Sequence, residues 1–287
     1  MKLGRSLHPD FGVEIEDLDL REIDPDTEFP RVREAFESHS VLLFRGQNLD
    51  DDSHIRLARL FGPLEDRGDF DGFRVSRVTN VELDARPKEV RDSDQNLMNL
   101  KANMLWHTDS IFLPVPALAN LLHAKVLPQT GGNTELVSTR AGWRKLTDSL
   151  KSRVRGKVFL HRYSHSRKKV DPGLAESTLF QKWPDTRWPS LWRNPVNGEE
   201  ALYLASHTFG IEDMEAEAGE ALIEELIDAL TQPEAVYSHP WKVGDVLIWD
   251  ERATLHRGTP WPYEEARTLS SICVSVTASD GLGSMQA

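Results

Sequence analysis

Two histidines and an aspartate are the residues with which this sequence could do chemistry. His107-Thr108-Asp109 sets an imidazole and a carboxylate two positions apart, and on an extended strand such residues point to one side. One neutral imidazole and one carboxylate suit a cation such as Fe(II). Alone the pair is weak: about 1.6 His-x-acid pairs arise by chance at this composition. Two occur, the other being His8-Pro9-Asp10 in a polar N-terminal segment. A triad of two histidines and one carboxylate needs a second imidazole and leaves three coordination positions open. His256 is a candidate, following Trp249-Asp250 and preceding Arg257-Gly258, and Arg267 opens the next β run eleven residues later. If those two runs pair across the turn, His256 and Arg267 face one cavity, where a guanidinium suits a dicarboxylate. Spacing alone also allows His256 to cap a turn and Arg267 to neutralise Glu264 or Glu265.

Composition sets the frame for that chemistry. The chain has 287 residues, 34 Lys plus Arg against 46 Asp plus Glu, and a formal charge of −12. That length buries a sizeable core without disulfides or metal staples, and the acidic balance argues against nucleic-acid partners. The single cysteine, Cys273, excludes an internal disulfide, a cysteine-rich zinc knuckle and an iron–sulfur cluster. Any metal site must therefore use imidazole and carboxylate. No signal-peptide pattern and no apolar run of spanning length is present, so a cytoplasmic protein without a membrane partner is expected.

The elements that must position these residues are mixed. Val41–Phe44, Asp245–Asp250 and Thr268–Thr277 read as strands, as do the apolar Leu118–Val126 and Thr134–Val137 on either side of Gly131-Gly132. Asp50–Phe61, Thr139–Val154 and Glu215–Leu230 read as helices. Short strands with helices outside suggest a β-sandwich or barrel. The chain reads as one domain, 1–287, with insertions around 64–103 and 161–200 that have no clear periodicity. Loops of that length are usually functional or mobile. Cys273 falls mid-strand, where a small buried apolar role is expected.

Several motifs in order carry a resemblance. Trp106-His107-Thr108-Asp109, then Gly131-Gly132-Asn133-Thr134, then Trp249-Asp250-x-Arg252-x-x-x-His256-Arg257-Gly258, then Arg267, resemble the taurine dioxygenase / 2,4-dichlorophenoxyacetate dioxygenase family. The likeness extends to Val41–Gln47, Phe61–Glu65 and Val243–Asp250, and so covers nearly the whole chain. It implies a mainly β fold with flanking helices around a double-stranded β-helix, or jelly-roll, core. It implies an oxidoreductase, a dioxygenase using Fe(II), 2-oxoglutarate and O2 to hydroxylate a small organic molecule, with release of succinate and CO2. His107, Asp109 and His256 are implied as iron ligands, and Thr134 and Arg267 as holders of the distal carboxylate of 2-oxoglutarate. An aryloxyalkanoate, a sulfonate or another small organic acid is the expected substrate, and a homo-oligomer the expected assembly. A non-catalytic jelly-roll binding protein and a zinc hydrolase with the same ligands are the competing readings.

The substrate end departs from the family. Several members that bind sulfonates or carboxylates carry a second arginine four residues after the one matching Arg267, and here that position is Ser271. A serine has no guanidinium fork. Lys101 and the basic stretch His161–Lys169, with Tyr163 and Arg167, are the candidate replacements, while Lys168 and Lys169 read as solvated. Asn103 falls where family members place a substrate-side asparagine, and Ser110 adjoins Asp109; a turn asparagine and a hydroxyl bonded to local backbone are their ordinary readings. His207 reads either as a pocket residue at a strand end or as a structural histidine.

Overall fold

Val41–Phe44 and Val246–Asp250 are apolar at almost every position because the structure buries both of their faces. The computed structural model describes residues 1–66, 75–81, 95–178 and 180–286, with only the backbone for 95–97. Its largest sheet has seven strands, in the order β1 (Lys2–Ser6), β2 (Val13–Glu16), β3 (Val41–Phe44), β13 (Val246–Asp250), β5 (Ala117–Val126), β15 (Thr268–Ser275) and β4 (Ser76–Thr79). All neighbours pair antiparallel except β2 with β3. A three-stranded sheet joins β12 (Tyr237–His239), β6 (Thr134–Ser138) and β14 (Thr254–Gly258). A second one joins β11 (Thr208–Ile211), β7 (Val158–His161) and β8 (Thr186–Pro189), and β9 (Leu191–Arg193) pairs with β10 (Glu200–Leu202).

Alternation along the central strands sorts the core into two faces. Leu42, Phe44, Leu121 and Ile248 point outward to α1 (Phe29–His39) and α2 (Asp51–Phe61), whose Val32, Phe36, Leu57 and Phe61 cover them. Val41, Leu43, Leu122, Leu247 and Leu269 point inward and meet Leu136 of β6. Two sheets thus close on one another with helices outside, the jelly-roll arrangement expected. α2 begins as its sequence suggests, with Asp50 accepting from the Ser53 N–H at 2.8 Å.

Three expectations change. Thr139–Val154 is not one helix but two, α4 (Thr139–Lys145) and α5 (Asp148–Val154). Leu146 is extended, and the Thr147 hydroxyl caps α5 by accepting from the Leu150 N–H. The runs holding His256 and Arg267 do not pair with each other: β14 pairs with β6, and β15 with β5 and β4. They belong to opposite sheets. The segment 161–200 is built of short elements, α6 (Tyr163–Lys168), α7 (Pro172–Ala175), β8 and β9. Much of 64–103 lies outside the described residues, which there include β4 and the helix α3 (Gln95–Ala102). α8 (Ala216–Leu230) buries Leu222, Ile223, Leu226 and Leu230 as its periodicity predicts. No helix among the described residues is long and apolar enough to cross a membrane.

A buried ion network fastens the end of β13 to α1. Arg252 donates to Asp250 Oδ1 at 2.8 Å and to Glu37 Oε2 at 2.7 Å, and it is only 2% exposed. Removing one member of such a network leaves a buried charge uncompensated. Arg252→Ala is expected to lower unfolding free energy by about 3–5 kcal/mol, read by urea denaturation; a loss below about 1 kcal/mol contradicts the account.

Candidate functional site

A cavity lined by His107, Asp109 and His256 lies between the two facing sheets. It has a volume of about 540 Å³, within the usual range for small-molecule sites. β15 presents Leu269, Ser271 and Cys273 to it at every second position, and β5 presents Asn120 and Leu122. Thr134 and His256 face it from the opposite sheet, and Phe112, Tyr163, Arg167 and His207 close one side.

His107 and Asp109 do not sit on a strand, contrary to the extended geometry expected. His107 forms an isolated bridge with His256, N–H to carbonyl in both directions at 3.0 and 2.8 Å, and Asp109 lies in the turn that follows. Ser110 makes that turn possible with a left-handed backbone, φ 58°. The bridge brings the two imidazole centroids to 4.1 Å. His107 Nε2 is 3.8 Å from Asp109 Oδ1, and His256 Nε2 is 3.9 Å from Asp109 Oδ2.

The tautomer of His107 can be read from its partner. His107 Nδ1 lies 2.7 Å from the Leu105 carbonyl, which can only accept, so Nδ1 carries the proton and Nε2 offers its lone pair. Burial holds both imidazoles below their usual range, His256 to about 3 with His107 beside it. Two neutral nitrogens and one carboxylate oxygen, all within 4.8 Å of one another, are the donor set of a single divalent cation.

Asp109 is held from three directions. Asn120 Nδ2 donates to its Oδ2 at 2.7 Å, and Cys273 Sγ lies 3.5 Å from the same oxygen. Cys273 is half-buried and faces the site rather than filling core, unlike the apolar role expected. Ser271 Oγ donates to Asn120 Oδ1 at 2.9 Å, which fixes the amide so that its NH2 faces Asp109. The backbone N–H of Asp109 donates to Glu251 Oε2 at 2.9 Å. Burial and the nearby Asp109 push the Glu251 carboxyl up. Two acidic groups this close, one of them fully buried, are what a bound cation would relieve.

Arg267 and Thr134 form a second pole. Arg267 is 3% exposed, and no Asp or Glu of the described residues pairs with it. Its Nε and Nη2 both donate to the Gly132 carbonyl, at 3.0 and 2.8 Å, and its guanidinium lies 4.8 Å from the Trp261 ring centroid. Burial lowers its pKa to about 10, so it remains a cation at neutral pH. The glycine pair explains the close approach. A Cβ on Gly132, whose φ is +67°, would meet Arg267 Nε at 2.9 Å, and one on Gly131 would meet the Pro260 carbonyl at 2.4 Å. Thr134 Oγ1 accepts from Trp241 Nε1 at 3.1 Å, which leaves its own O–H to donate. A buried cation without a carboxylate, beside a free hydroxyl donor, fits a carboxylate ligand.

The substrate-side candidates divide. Asn103, Tyr163 and Arg167 line the cavity, and His207 joins them. Tyr163 stacks on Phe112 with centroids 4.1 Å apart, and Arg167 Nη2 donates to Tyr163 Oη at 3.1 Å. Lys101, on the last turn of α3, and Ser110, buried in the turn after Asp109, are not among the lining residues. Sequence reasoning missed Asn120, Glu251 and Phe112. Asn120 leaves a trace as a lone amide inside the apolar run of β5; Glu251 and Phe112 leave none.

Comparisons with known proteins agree with this geometry. The family described as "Taurine catabolism dioxygenase TauD, TfdA family" matches residues 3–273. The chain is 34% identical, over 93% of its length and 95% of the other, to an alpha-ketoglutarate-dependent 2,4-dichlorophenoxyacetate dioxygenase of Cupriavidus pinatubonensis. It is 31% identical to an (S)-phenoxypropionate/alpha-ketoglutarate-dioxygenase of Sphingobium herbicidovorans, with 90% of both chains covered. Among solved structures, AAD-2 in complex with Mn(II) and N-oxalylglycine superposes with a TM-score of 0.88 at 34% identity, covering 96% of this chain and 98% of that one.

The donor set generates a direct prediction. Co(II) titrated into the chain is expected to give visible d–d bands at one equivalent, and His107→Ala to abolish them; bands that persist in the variant place the metal elsewhere.

Proposed function

The chain belongs to the TauD/TfdA family of 2-oxoglutarate-dependent dioxygenases, and from that premise we propose how its own residues divide the work. Such an enzyme uses Fe(II), 2-oxoglutarate and O2 and acts on a small molecule. His107 Nε2, one oxygen of Asp109 and His256 Nε2 hold the Fe(II). Arg267 and the Thr134 hydroxyl hold the distal carboxylate of 2-oxoglutarate. The observation that carries the reading is that these two poles line one cavity between the sheets. Bound Fe(II) supplies the oxidising chemistry, coupling decarboxylation of 2-oxoglutarate to succinate and CO2 with insertion of oxygen into a substrate C–H bond.

The protein's contribution is placement and exclusion of water. Arg267 is already desolvated and fixed on Gly132, so it grips a carboxylate without further ordering. Asn120 holds Asp109, and Ser271 holds Asn120. Position 271 is thereby committed to the metal side and has no cation to offer a substrate. We assign that task to Arg167, which reaches the cavity from α6 beside the aromatic wall of Phe112 and Tyr163. An aryl group against that wall with an acid group toward Arg167 matches the substrates named for the relatives, 2,4-dichlorophenoxyacetate and phenoxypropionate. Asn103 completes the substrate contacts. Lys101 and Ser110 stand outside the cavity wall, and Ser110 serves the Asp109 turn through its left-handed backbone. We read the chain as a single domain that forms a homo-oligomer, and as cytoplasmic, the compartment being in keeping with its lone cysteine.

Anaerobic addition of Fe(II) and 2-oxoglutarate is expected to give a visible charge-transfer band. In air, aryloxyalkanoates, sulfonates and sulfate esters then sort by substrate-stimulated succinate release. Arg267→Gln should raise the 2-oxoglutarate KM by about 2–4 kcal/mol, roughly 30- to 1000-fold. Arg167→Gln should lower kcat/KM for the acid substrate and leave the 2-oxoglutarate KM unchanged. A 2-oxoglutarate KM that moves only with Arg167 reverses the assignment of the two poles.

A further inference from the structure

Glu251 is a buried carboxylate that neither the triad nor the co-substrate pole accounts for. It is 0% exposed, and no Lys or Arg of the described residues pairs with it. Instead its oxygens collect donors. Trp249 Nε1 donates to Oε1 at 2.6 Å. The Asp109 backbone N–H donates to Oε2 at 2.9 Å, and the Thr108 hydroxyl lies 2.6 Å from both Oε2 and the Glu251 carbonyl, sharing its one proton between them. Thr108 and Asp109 belong to the ligand turn, so this one side chain grips the segment that carries Asp109.

The same carboxylate oxygen lies near the third ligand. His256 Nδ1 lies 3.8 Å from Glu251 Oε2 and is a buried nitrogen with no hydrogen-bond partner. A shift of about 1 Å closes that gap to a hydrogen bond. Ligating histidines usually donate their other ring N–H to a carboxylate or carbonyl, which fixes tautomer and ring orientation. His107 already does so through Leu105; for His256 Nδ1 the Glu251 carboxylate is the nearby acid among the described residues.

We propose that Glu251 is a positioning residue for the metal centre, accepting the Nδ1–H of His256 while anchoring the Asp109 turn, so that His256 Nε2 and the Asp109 carboxylate converge on one ion. The inference rests on the metal reading above. Residue chemistry at this position is demanding. Trp249, Asp109 and His256 present N–H donors to both oxygens, and only a carboxylate accepts on both sides. An amide there would set its own NH2 against either the indole or the turn. A carboxylate also brings a second negative charge to the site, which with Asp109 balances a dication.

The test uses the full chain in two forms. In the Zn(II)-loaded wild type, histidine ¹⁵N NMR is expected to show His256 ligating through Nε2, with a slowly exchanging Nδ1–H. Glu251→Gln is expected to weaken Co(II) binding roughly 10- to 100-fold, to change the d–d spectrum and to make the Nδ1–H exchange rapidly. A merely structural Glu251 would lower the melting temperature of the variant but leave Co(II) affinity and spectrum as in the wild type, and that result overturns the proposal. If the variant does not fold, the wild-type spectrum decides, because ligation through Nδ1 also overturns it. A wild type that takes up no Co(II) or Zn(II) defeats the metal reading itself, and this inference with it.

Discussion

Two backbone hydrogen bonds between His107 and His256 hold the centre of this molecule together. They join an irregular turn to β14, and they do so at the two residues whose imidazoles must meet. His107 has no strand of its own to align it with His256 of β14. The bridge fixes the register, and the left-handed Ser110 then turns the chain so that Asp109 faces back between the rings. The rest of the fold can be understood as support for that contact. β6 holds β14 in place, and the large sheet supplies Asn120, Ser271 and Cys273 from the other side.

Burial of charge is the second constraint. Glu251 and Arg267 sit where water cannot solvate them well and Asp109 is half-buried, and each is held by donors or acceptors of the protein itself. Arg267 rests on a carbonyl and an indole, Glu251 on N–H and O–H groups, and Asp109 on an amide. Cationic and anionic poles kept apart inside one cavity are an unstable arrangement unless ligands of opposite sign fill it. A dication at one end and a dicarboxylate at the other satisfy both.

His107, Asp109, His256 and Arg267 were legible because their motifs occur in order over nearly the whole chain, as the resemblance required. The strands were legible too, since continuous apolar runs such as Val41–Phe44 mark positions buried on both faces. What spacing could not show was which strand crosses to which sheet. The expected pairing of the His256 and Arg267 runs failed because β14 and β15 lie in opposite sheets, facing each other across the cavity instead of side by side. The helix expected over Thr139–Val154 broke at Leu146 because the Thr147 hydroxyl offered a better local start. Asn120 and Glu251 escaped notice because their roles depend on partners 11 and 142 positions away. Ser271 read as a loss of charge; in the structure its hydroxyl serves the amide that orients Asp109.

The account's central claim is that one cavity holds a metal and a 2-oxo acid through residues from both sheets. A crystal structure of the chain grown with Mn(II) and 2-oxoglutarate tests it most directly. The account predicts a single Mn(II) bound by His107, Asp109 and His256, with the distal carboxylate on Arg267 and Thr134. Metal bound away from these three side chains, or a dicarboxylate that leaves Arg267 untouched, would contradict it.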